Sequence, residues 1–348
     1  MLGQFIGWTA VISAQEMKQD TAIRFFGVPL VSYSNDTRWG FGAAGIVTFR
    51  GNPLRSSITF GVLYTQRKQF LMYFPYQWYS PHGGWRAYGE AGWYRYLYQY
   101  FGIGNAYSDD FLETYTAQYP RLRTTVARNL NDHNLVGLRY YLDVYRMVGS
   151  SPGSEVERGL PPGAQGGRSS GVGPVWLYDS RDNQFYPHRG WLTETALIGE
   201  HRLTGSNFQF IRLSMEATRF WPLGKKITLV TQGIAQFTAG TAPFFNLSQL
   251  GGTKRLRGYP DGKYRDKHLL LLQTESRFPL IWRFKGAIFA GLGTVFGTPG
   301  EVLHWRPECG AGLRFEFDKK QKLHLRLDYG WGEGRNNSGF YLTFGEAL

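Results

Sequence analysis

The sequence predicts an all-β protein: a transmembrane, up-and-down antiparallel β-barrel of about 16 strands. Its composition combines 17% aromatic residues and 45 glycines with a mean hydropathy of only −0.34. No apolar run reaches the roughly 18 to 20 residues of a membrane helix, whereas a membrane strand needs only about 9 to 11. Short segments of alternating polarity, separated by turn residues, continue to the end of the chain and indicate strands throughout.

The charge and the cysteine content limit the classes of partner and cofactor that are expected for this chain. The formal charge of +13 could indicate nucleic acid, but the cations are scattered through alternating strands and no nucleic-acid partner is expected. Acidic lipid headgroups at a membrane surface are the predicted counter-charge. Cys309 is the single cysteine and the histidines lack metal-ligand spacing, so the sequence predicts no disulfide, no metal and no cofactor.

The N-terminal segment, residues 1–24, is interpreted as the remnant of an export leader, and residues 25–348 as the barrel. The segment is mildly apolar and ends its apolar part in Ile-Ser-Ala, although it lacks a basic start. The first strands are predicted at residues 25–34, 38–50, 57–65, 69–79, 85–102 and 112–130.

Four tyrosines alternate along the fifth strand, and they are interpreted as belt residues at the membrane interface: Tyr94, Tyr96, Tyr98 and Tyr100. A strand at 135–148 follows, and residues 149–170 are rich in Gly, Ser and Pro and predict a surface loop. The remaining strands are predicted at 172–181, 191–201, 207–221, 226–239, 268–278, 282–296, 305–317, 322–331 and 339–344.

Connections between the predicted strands alternate in length, as they do in outer-membrane barrels. If the turn at Asn35 faces outward, so do the connections 149–170, 241–267 and 297–304. The turns at Asn131, at Pro187 and at residues 318–320 then face the periplasm.

The strand at 322–331 shows why the apolar face is assigned to lipid. Its odd positions are apolar or aromatic: Leu323, Leu325, Leu327, Tyr329 and Trp331. Lys322, His324, Arg326 and Asp328 lie on the other face. A soluble sandwich has the same period. The length of the strands and the opposite charges on their polar faces favour a lumen, with pairs such as Glu275 and Arg277 on one face.

The connection before the twelfth predicted strand contains the most basic loop of the chain, residues 251–267. Gly258 frees the backbone beside Arg257, and Pro260 with Gly262 fixes a turn. The guanidinium of Arg257 can therefore be projected to a set place.

The chain end also carries a pattern. Asn337, Gly339, Leu342 and Phe344 fit the polar, any, Gly, any, any, apolar, any, apolar pattern of the outer-membrane β-signal. Four residues follow Phe344, where many barrels stop at an aromatic residue.

Two motifs resemble those of the BamA/TamA superfamily, also called the bacterial surface antigen family. The run Leu256-Arg257-Gly258-Tyr259 resembles the family's Val-Arg-Gly-Phe/Tyr signature of the sixth outer loop. The second motif is similar to the family's Asp-x-Arg-Asp-Asn segment before a periplasmic turn, and its residues are Asp179, Arg181, Asp182, Asn183, Pro187 and Gly190. The resemblance covers about residues 25–348.

This resemblance implies a barrel whose sixth outer loop, including Asp261, folds inward and sets Arg257 against acidic groups of the lumen wall. In relatives an aspartate on the thirteenth strand is often the partner of this arginine. The corresponding run here, residues 289–293, contains no acid. Asp328, Glu316 and Glu275 are the candidate partners, and Asp328 is favoured. His324 and Asp328 are four residues apart, but no serine on their strand completes a catalytic set, so a charge network is favoured.

The resemblance also implies a location in the outer membrane of a Gram-negative bacterium, among lipids that include acidic lipopolysaccharide headgroups. Its implied function is to assist assembly or insertion of unfolded outer-membrane barrels through a weak seam between the first strand, interrupted by Pro29, and the last. Residues 1–24 are too few for the POTRA domains of such factors, so an accessory role beside a POTRA-bearing complex is expected. The alternatives are a passive, anion-preferring channel and, less favoured, a lipid-modifying enzyme. No catalytic residues are predicted.

Overall fold

The computed structural model describes most of the chain: residues 24–34, 38–49, 56–81, 84–105, 107–108, 110–183, 185–224, 226–318, 322–334 and 337–348. Residues 1–23 of the predicted leader (1–24), the turn at Asn35 and residues 319–320 of the predicted turn at 318–320 lie outside these residues. No helix of the described part is long and apolar enough to cross a membrane.

Sixteen antiparallel strands close a barrel, which confirms the predicted fold. In chain order the strands are β1 (Arg24–Ser34), β2 (Arg38–Thr48), β3 (Ser57–Thr65), β4 (Phe70–Tyr79), β5 (Trp85–Tyr100), β6 (Glu113–Asn129), β7 (Asn134–Ser150), β8 (Gly167–Asp179), β9 (Gly190–Glu200), β10 (Gln209–Leu223), β11 (Ile227–Thr241), β12 (Ser248–Leu250), β13 (Tyr264–Asp266), β14 (His268–Pro279), β15 (Phe284–Phe296), β16 (Arg306–Asp318), β17 (Leu323–Gly332) and β18 (Ser338–Phe344). The short strands β12 and β13 pair with each other inside the connection between β11 and β14 and are not part of the barrel wall.

Alternation along the strands separates a lipid face from a lumen face. On β7, Val136, Leu138 and Val144 are exposed on the outside, whereas Arg139 and Asp143 are buried inside. The strand period of two places every second side chain on the same face, so an apolar band surrounds the barrel and most charges lie in the lumen. The longest connections, including residues 242–267, meet at one end, which we assign to the outer side.

The alternating tyrosines of β5 lie on the lumen face of the strand and not at the membrane interface, where the sequence predicts them. Tyr94, Tyr96 and Tyr100 are buried in the lumen, so their interpretation as interfacial belt residues is wrong. The other face of β5 carries Trp85 and Trp93, which are exposed and take the belt positions. Aromatic residues occur on both faces of this barrel because Phe244 and Phe245, in the connection 242–267, pack their rings against lumen tyrosines such as Tyr100 and Tyr145.

The predicted loop at 149–170 is too long at both ends. Strand β7 continues to Ser150, and β8 starts at Gly167. Ser169 and Ser170 therefore lie in a strand, where the Ser169 hydroxyl donates to the buried carboxylate of Glu200 at 2.8 Å. Glycine and serine are read as loop residues in a sequence, but here their small size fits a crowded lumen.

The seam between β1 and β18 is incompletely paired, as expected. All of β1 pairs with β2, but only Tyr33 and Ser34 pair with β18, opposite Leu342 and Tyr341. After Phe344 the chain turns at Gly345, with φ of 75°, and no longer follows the edge of β1. Residues 24–32 of β1 therefore have no partner in β18.

Candidate functional site

Arg257 is carried by the connection between β11 and β14, which we call the inner loop (residues 242–267), and it contacts the lumen wall. Its Nη1 atom lies 2.7 Å from Glu275 Oε2 on β14 and 2.8 Å from Asp328 Oδ2 on β17. The guanidinium carbon lies 3.4 Å from the ring centroid of Phe289 on β15. All three charged side chains are completely buried, so each depends on the others for compensation.

The structure therefore brings Arg257 to two of the three predicted acids. Glu316, the third, lies further toward the periplasmic end of β16, where it accepts a hydrogen bond from Lys285 at 3.3 Å. The run at 289–293 supplies no acid, as its sequence indicates, but it supplies the ring of Phe289. The cation is thus held by two carboxylates at its edge and an aromatic face.

Further cations surround the same two carboxylates. Glu275 accepts from Arg277 at 2.8 Å and from Arg314 at 3.2 Å. Asp328 also pairs with Arg314, and Arg326 lies 3.4 Å from it. We call this set the lumen charge cluster; with Glu346, described next, it consists of Arg257, Arg277, Arg314, Arg326, Glu275, Asp328 and Glu346.

Glu346 is a member of the cluster that the sequence did not reveal. Its Oε2 atom lies 3.1 Å from Arg314 Nε and 3.6 Å from Arg277 Nε. The Leu348 carbonyl accepts from Arg277 at 3.0 Å, and the Gly345 amide donates to the His324 carbonyl at 2.9 Å. Residues 345–348, the C-terminal tail, thus lie inside the lumen. Nothing in the residues after Phe344 indicates the direction in which they turn.

The rest of the loop signature is also held by the wall. The Gly258 amide donates to Glu308 Oε2 at 2.8 Å, and the Tyr259 hydroxyl donates to the Pro307 carbonyl at 2.7 Å. Burial raises the pKa of Tyr259, so its hydroxyl stays a donor. Leu256 is completely buried with a φ of 54°, whereas Asp261 packs over Gly252 within the loop.

Lys254, at the tip of the inner loop, is held in a different environment. Burial, assisted by the nearby charge of Arg326, lowers the pKa of its ammonium group to about 8. The backbone carbonyl of Lys254 accepts from Gln273 at 2.8 Å, which ties the tip to β14. Among the described residues, no group of three or more His, Cys, Asp or Glu side chains could hold a metal ion.

Glycines allow the loop backbone to lie directly on the last two strands. A Cβ atom at Gly258 would stand 2.4 Å from the Gly332 nitrogen, and one at Gly330 would stand 2.7 Å from the Arg257 carbonyl carbon. Gly339 of the β-signal shares this role, because its Cβ would meet the Arg257 oxygen at 2.5 Å. The inner loop is therefore seated on β17 and β18, beside the seam.

Other β-signal residues flank this seat. Asn337 is buried and its side-chain amide donates to the Glu333 carbonyl. Leu342 stands opposite Tyr33 in the seam, and the Phe344 backbone is opposite Leu325. The β-signal pattern thus lies between the loop on one side and the seam on the other.

The second motif forms a closed turn at the periplasmic end. Asp179 binds Arg181 at 2.7 Å, and Asn183 Oδ1 accepts from the Tyr186 amide at 2.8 Å. Asp182 Oδ1 accepts from the amides of residues 188 and 189. Pro187 is buried, and Gly190 has a φ of 112°, a conformation that favours glycine.

This turn reaches across the lumen. The ring of Tyr186 lies 4.4 Å from the ring of His324 and 4.1 Å from Lys285 Nζ, on strands β17 and β15. Arg277 of the charge cluster lies 5.4 Å from the same ring. The predicted motif therefore places Tyr186, which is not among the predicted site residues, opposite the strands that hold Arg257.

Residues 49–348 match the Omp85 superfamily domain. The chain belongs to the Omp85 superfamily. A 92-residue stretch is 33% identical to the outer membrane protein assembly factor BamA of Neisseria meningitidis serogroup B, and it covers 25% of this chain and 11% of that protein.

Solved structures share the fold of this Omp85 barrel. BamA from Haemophilus ducreyi lacking POTRA domains 1–3 superposes with a TM-score of 0.63 at 15% identity, covering 93% of this chain and 69% of that one. CdiB from Acinetobacter baumannii gives a TM-score of 0.63 at 12% identity, with 95% and 60% covered. The chain is therefore an outer-membrane β-barrel of a Gram-negative bacterium, and it spans only part of the length of these relatives.

Gly258→Ala is expected to unseat the inner loop of this Omp85 barrel. The added Cβ would collide with the β17 backbone, which cannot move aside as a side chain would. Limited trypsin digestion of the folded barrel measures the effect, since cleavage after Lys254 or Arg255 requires an accessible loop. We expect cleavage there to become at least about tenfold faster. A change of about 1.4 kcal/mol in the free energy difference between the seated and the displaced loop is enough for that factor.

Gly233→Ala on β11 is the matched control. Its Cβ would have no neighbour within 4 Å, so the loop should remain as protected as in the natural chain. Equal protection of the Gly258→Ala and Gly233→Ala barrels would contradict the direct seating of the loop backbone.

Proposed function

We propose that this Omp85 barrel inserts unfolded outer-membrane β-barrel chains into the membrane, with the edge of β1 as the template. The observation that carries the proposal is the seam: residues 24–32 of β1 have no partner in β18, although every other pair of neighbouring wall strands is joined more extensively. An unpaired strand edge presents a row of N–H and C=O groups to which another strand can be added.

The surrounding membrane favours the pairing of another strand with this edge. Backbone groups that face hydrocarbon without a partner cost several kcal/mol each, which is why membrane barrels are normally closed. A client strand that pairs with β1 removes this cost on both chains at once. The incoming strand therefore gains hydrogen bonds at the point where it enters the bilayer.

The lumen charge cluster explains what keeps the seam open. The C-terminal tail is drawn inward by Glu346, which pairs with Arg277 and Arg314. The tail leaves the wall at Gly345, so β18 stays short and cannot cover the edge of β1. The inner loop, seated on Gly330 and Gly339, supports the same two strands from inside.

The test is the folding rate of an unfolded outer-membrane barrel in liposomes that contain this protein. We expect folding several-fold faster than in protein-free liposomes, and faster than in liposomes containing a barrel with a fully paired seam. A rate equal to the protein-free rate would contradict insertion by this chain alone. Acceleration that appears only when a POTRA-bearing assembly complex is added would instead support the role of an accessory subunit.

The alternative of a passive, anion-preferring channel has less support. The inner loop lies in the lumen against β14, β15 and β17. A cavity of about 50 Å³ lies between the loop and the tyrosines of β5. The arginines of the charge cluster are paired with carboxylates that neutralise most of their charge, which weakens the attraction for a passing anion. Single-channel recording from planar bilayers distinguishes the two roles, and we expect no steady conductance from the intact barrel.

A further inference from the structure

Two arginines on the outside of the barrel are not explained by the seam or by the charge cluster. Arg95 on β5 and Arg146 on β7 are exposed on the face that β5 and β7 turn toward lipid. Neither has an ion-pair partner among the residues that the structure describes. A guanidinium directed at a bilayer is costly unless it meets an anion or water, so its place along the strand is informative.

The register places these arginines in one row. Arg95 stands opposite Gln118 of β6, and Gln118 stands opposite Arg146 of β7. Neighbouring strands are about 4.8 Å apart, so the two arginine backbones are about 10 Å apart. The row continues on the other side of Arg95 with Phe70 and Tyr64, both directed outward.

The height of the row can be derived from the strand that carries Arg95. Trp85 and Arg128 stand opposite each other near the periplasmic end, where an aromatic belt residue is expected. From residue 85 to residue 95 the strand rises about 33 Å, and a tilt of about 40° reduces this to a height of about 25 Å. That height equals the apolar band of an outer-membrane barrel, which places Arg95 at the outer interface.

The residues between these limits agree with this placement. The outward side chains of β6 between Gln118 and Arg128 include Leu122 and Val126, and those of β7 below Arg146 include Leu138 and Val144. None of the outward positions between the limits on these three strands is charged. The two arginines therefore stand where the apolar band ends and headgroups of the outer leaflet begin.

We propose that Arg95, Gln118 and Arg146 form a binding site for the phosphate groups of lipopolysaccharide, the phosphate-bearing glycolipid of the outer leaflet. Two arginines whose backbones are about 10 Å apart suit a headgroup with more than one phosphate, and charge-assisted hydrogen bonds hold such groups well. The amide of Gln118 lies between them and can bind a sugar or phosphate oxygen. The proposal does not depend on the seam or on insertion activity.

The experiment measures binding of purified lipid A, which carries the phosphates, to the full barrel in detergent by native mass spectrometry. The test variant is Arg95→Gln/Arg146→Gln, and the matched control is Arg128→Gln, an equally exposed outward arginine at the other end of the same wall. Surface substitutions of this kind change folding stability by less than about 0.5 kcal/mol, and circular dichroism checks that all three barrels are folded.

We expect the double variant to bind lipid A about 30-fold more weakly, since each arginine near a charged lipid surface contributes about 1 kcal/mol. Arg128→Gln should bind like the natural chain, and lipid A stripped of its phosphates should bind weakly to all three. Undiminished binding by the double variant, an equal loss in Arg128→Gln, or equal binding of phosphatidylglycerol would each overturn the proposal. Full displacement of lipid A by millimolar inorganic phosphate would also overturn it, because the site would then recognise a free ion.

Discussion

A disulfide across the seam is expected to abolish client insertion. In a chain with Cys309→Ser, the substitutions Tyr33→Cys and Leu342→Cys place two cysteines opposite each other on β1 and β18. Directly opposed residues of an antiparallel pair have Cα atoms about 4.5 to 5.5 Å apart, a separation that a disulfide accepts. A client strand that starts on the unpaired residues 24–32 of β1 must displace β18 from Tyr33 and Ser34 to pair along the whole edge. The cross-link prevents this displacement, so folding in liposomes should fall to the protein-free rate.

The control uses the same chemistry at a closed part of the wall. Phe41→Cys and Tyr64→Cys are opposed on β2 and β3, which remain paired whatever the seam does. This cross-link should leave the rate unchanged, and reduction should restore activity to the seam variant. Full activity of the oxidised seam variant would show that insertion does not require β18 to separate from β1.

Arg257→Ala is expected to have the second largest effect. It removes a buried cation from Glu275 and Asp328 and empties the space over the Phe289 ring. Breaking a buried ion pair costs about 3 to 5 kcal/mol, and the lower end applies here because Arg314 still contacts both carboxylates. Urea unfolding in liposomes should show this loss of about 3 kcal/mol, together with faster tryptic cleavage of the inner loop and slower client folding.

Two further variants separate charge from geometry. Arg257→Lys keeps the charge but loses the planar group that spans two carboxylates, so it should restore only part of the stability. Arg158→Ala, an exposed cation of an outer connection, should behave like the natural chain. If Arg257→Ala also unfolds like the natural chain, the charge cluster does not hold the inner loop.

The fold could be predicted because strand alternation and turn residues are local signals. The order of residues 322–331 is enough to identify the polar and the apolar face of that strand. A series of such segments predicts a barrel even though no contact between distant residues is known. The faces of β5 could not be assigned in the same way. Trp93 and Tyr94 are both aromatic, and only the register with neighbouring strands shows which of them meets lipid.

The site was predictable in part for a related reason. Alternation places Glu275, Glu316 and Asp328 on lumen faces, and the structure brings the first and last of these to Arg257. Alternation cannot show how far along the lumen axis each acid lies. The position along this axis is what distinguishes Glu316 from Glu275 and Asp328. Glu346 lies beyond the last strand, where no period applies, so its turn into the lumen left no trace in the sequence.

The composition of the lumen charge cluster has a consequence for the order of folding. Arg257 is held by a carboxylate on β17, and Arg277 and Arg314 by one that follows β18, so the cluster joins residues from 257 to 346. Contacts over such a separation form late, because the intervening chain must first be ordered. Glu275 on β14 is available to Arg257 early, but the inner loop can complete its contacts only after the last strand has reached the wall. A barrel that stalls before this step retains three buried arginines that share Glu275 and lack Asp328 and Glu346, which makes the incomplete form less stable than the finished one.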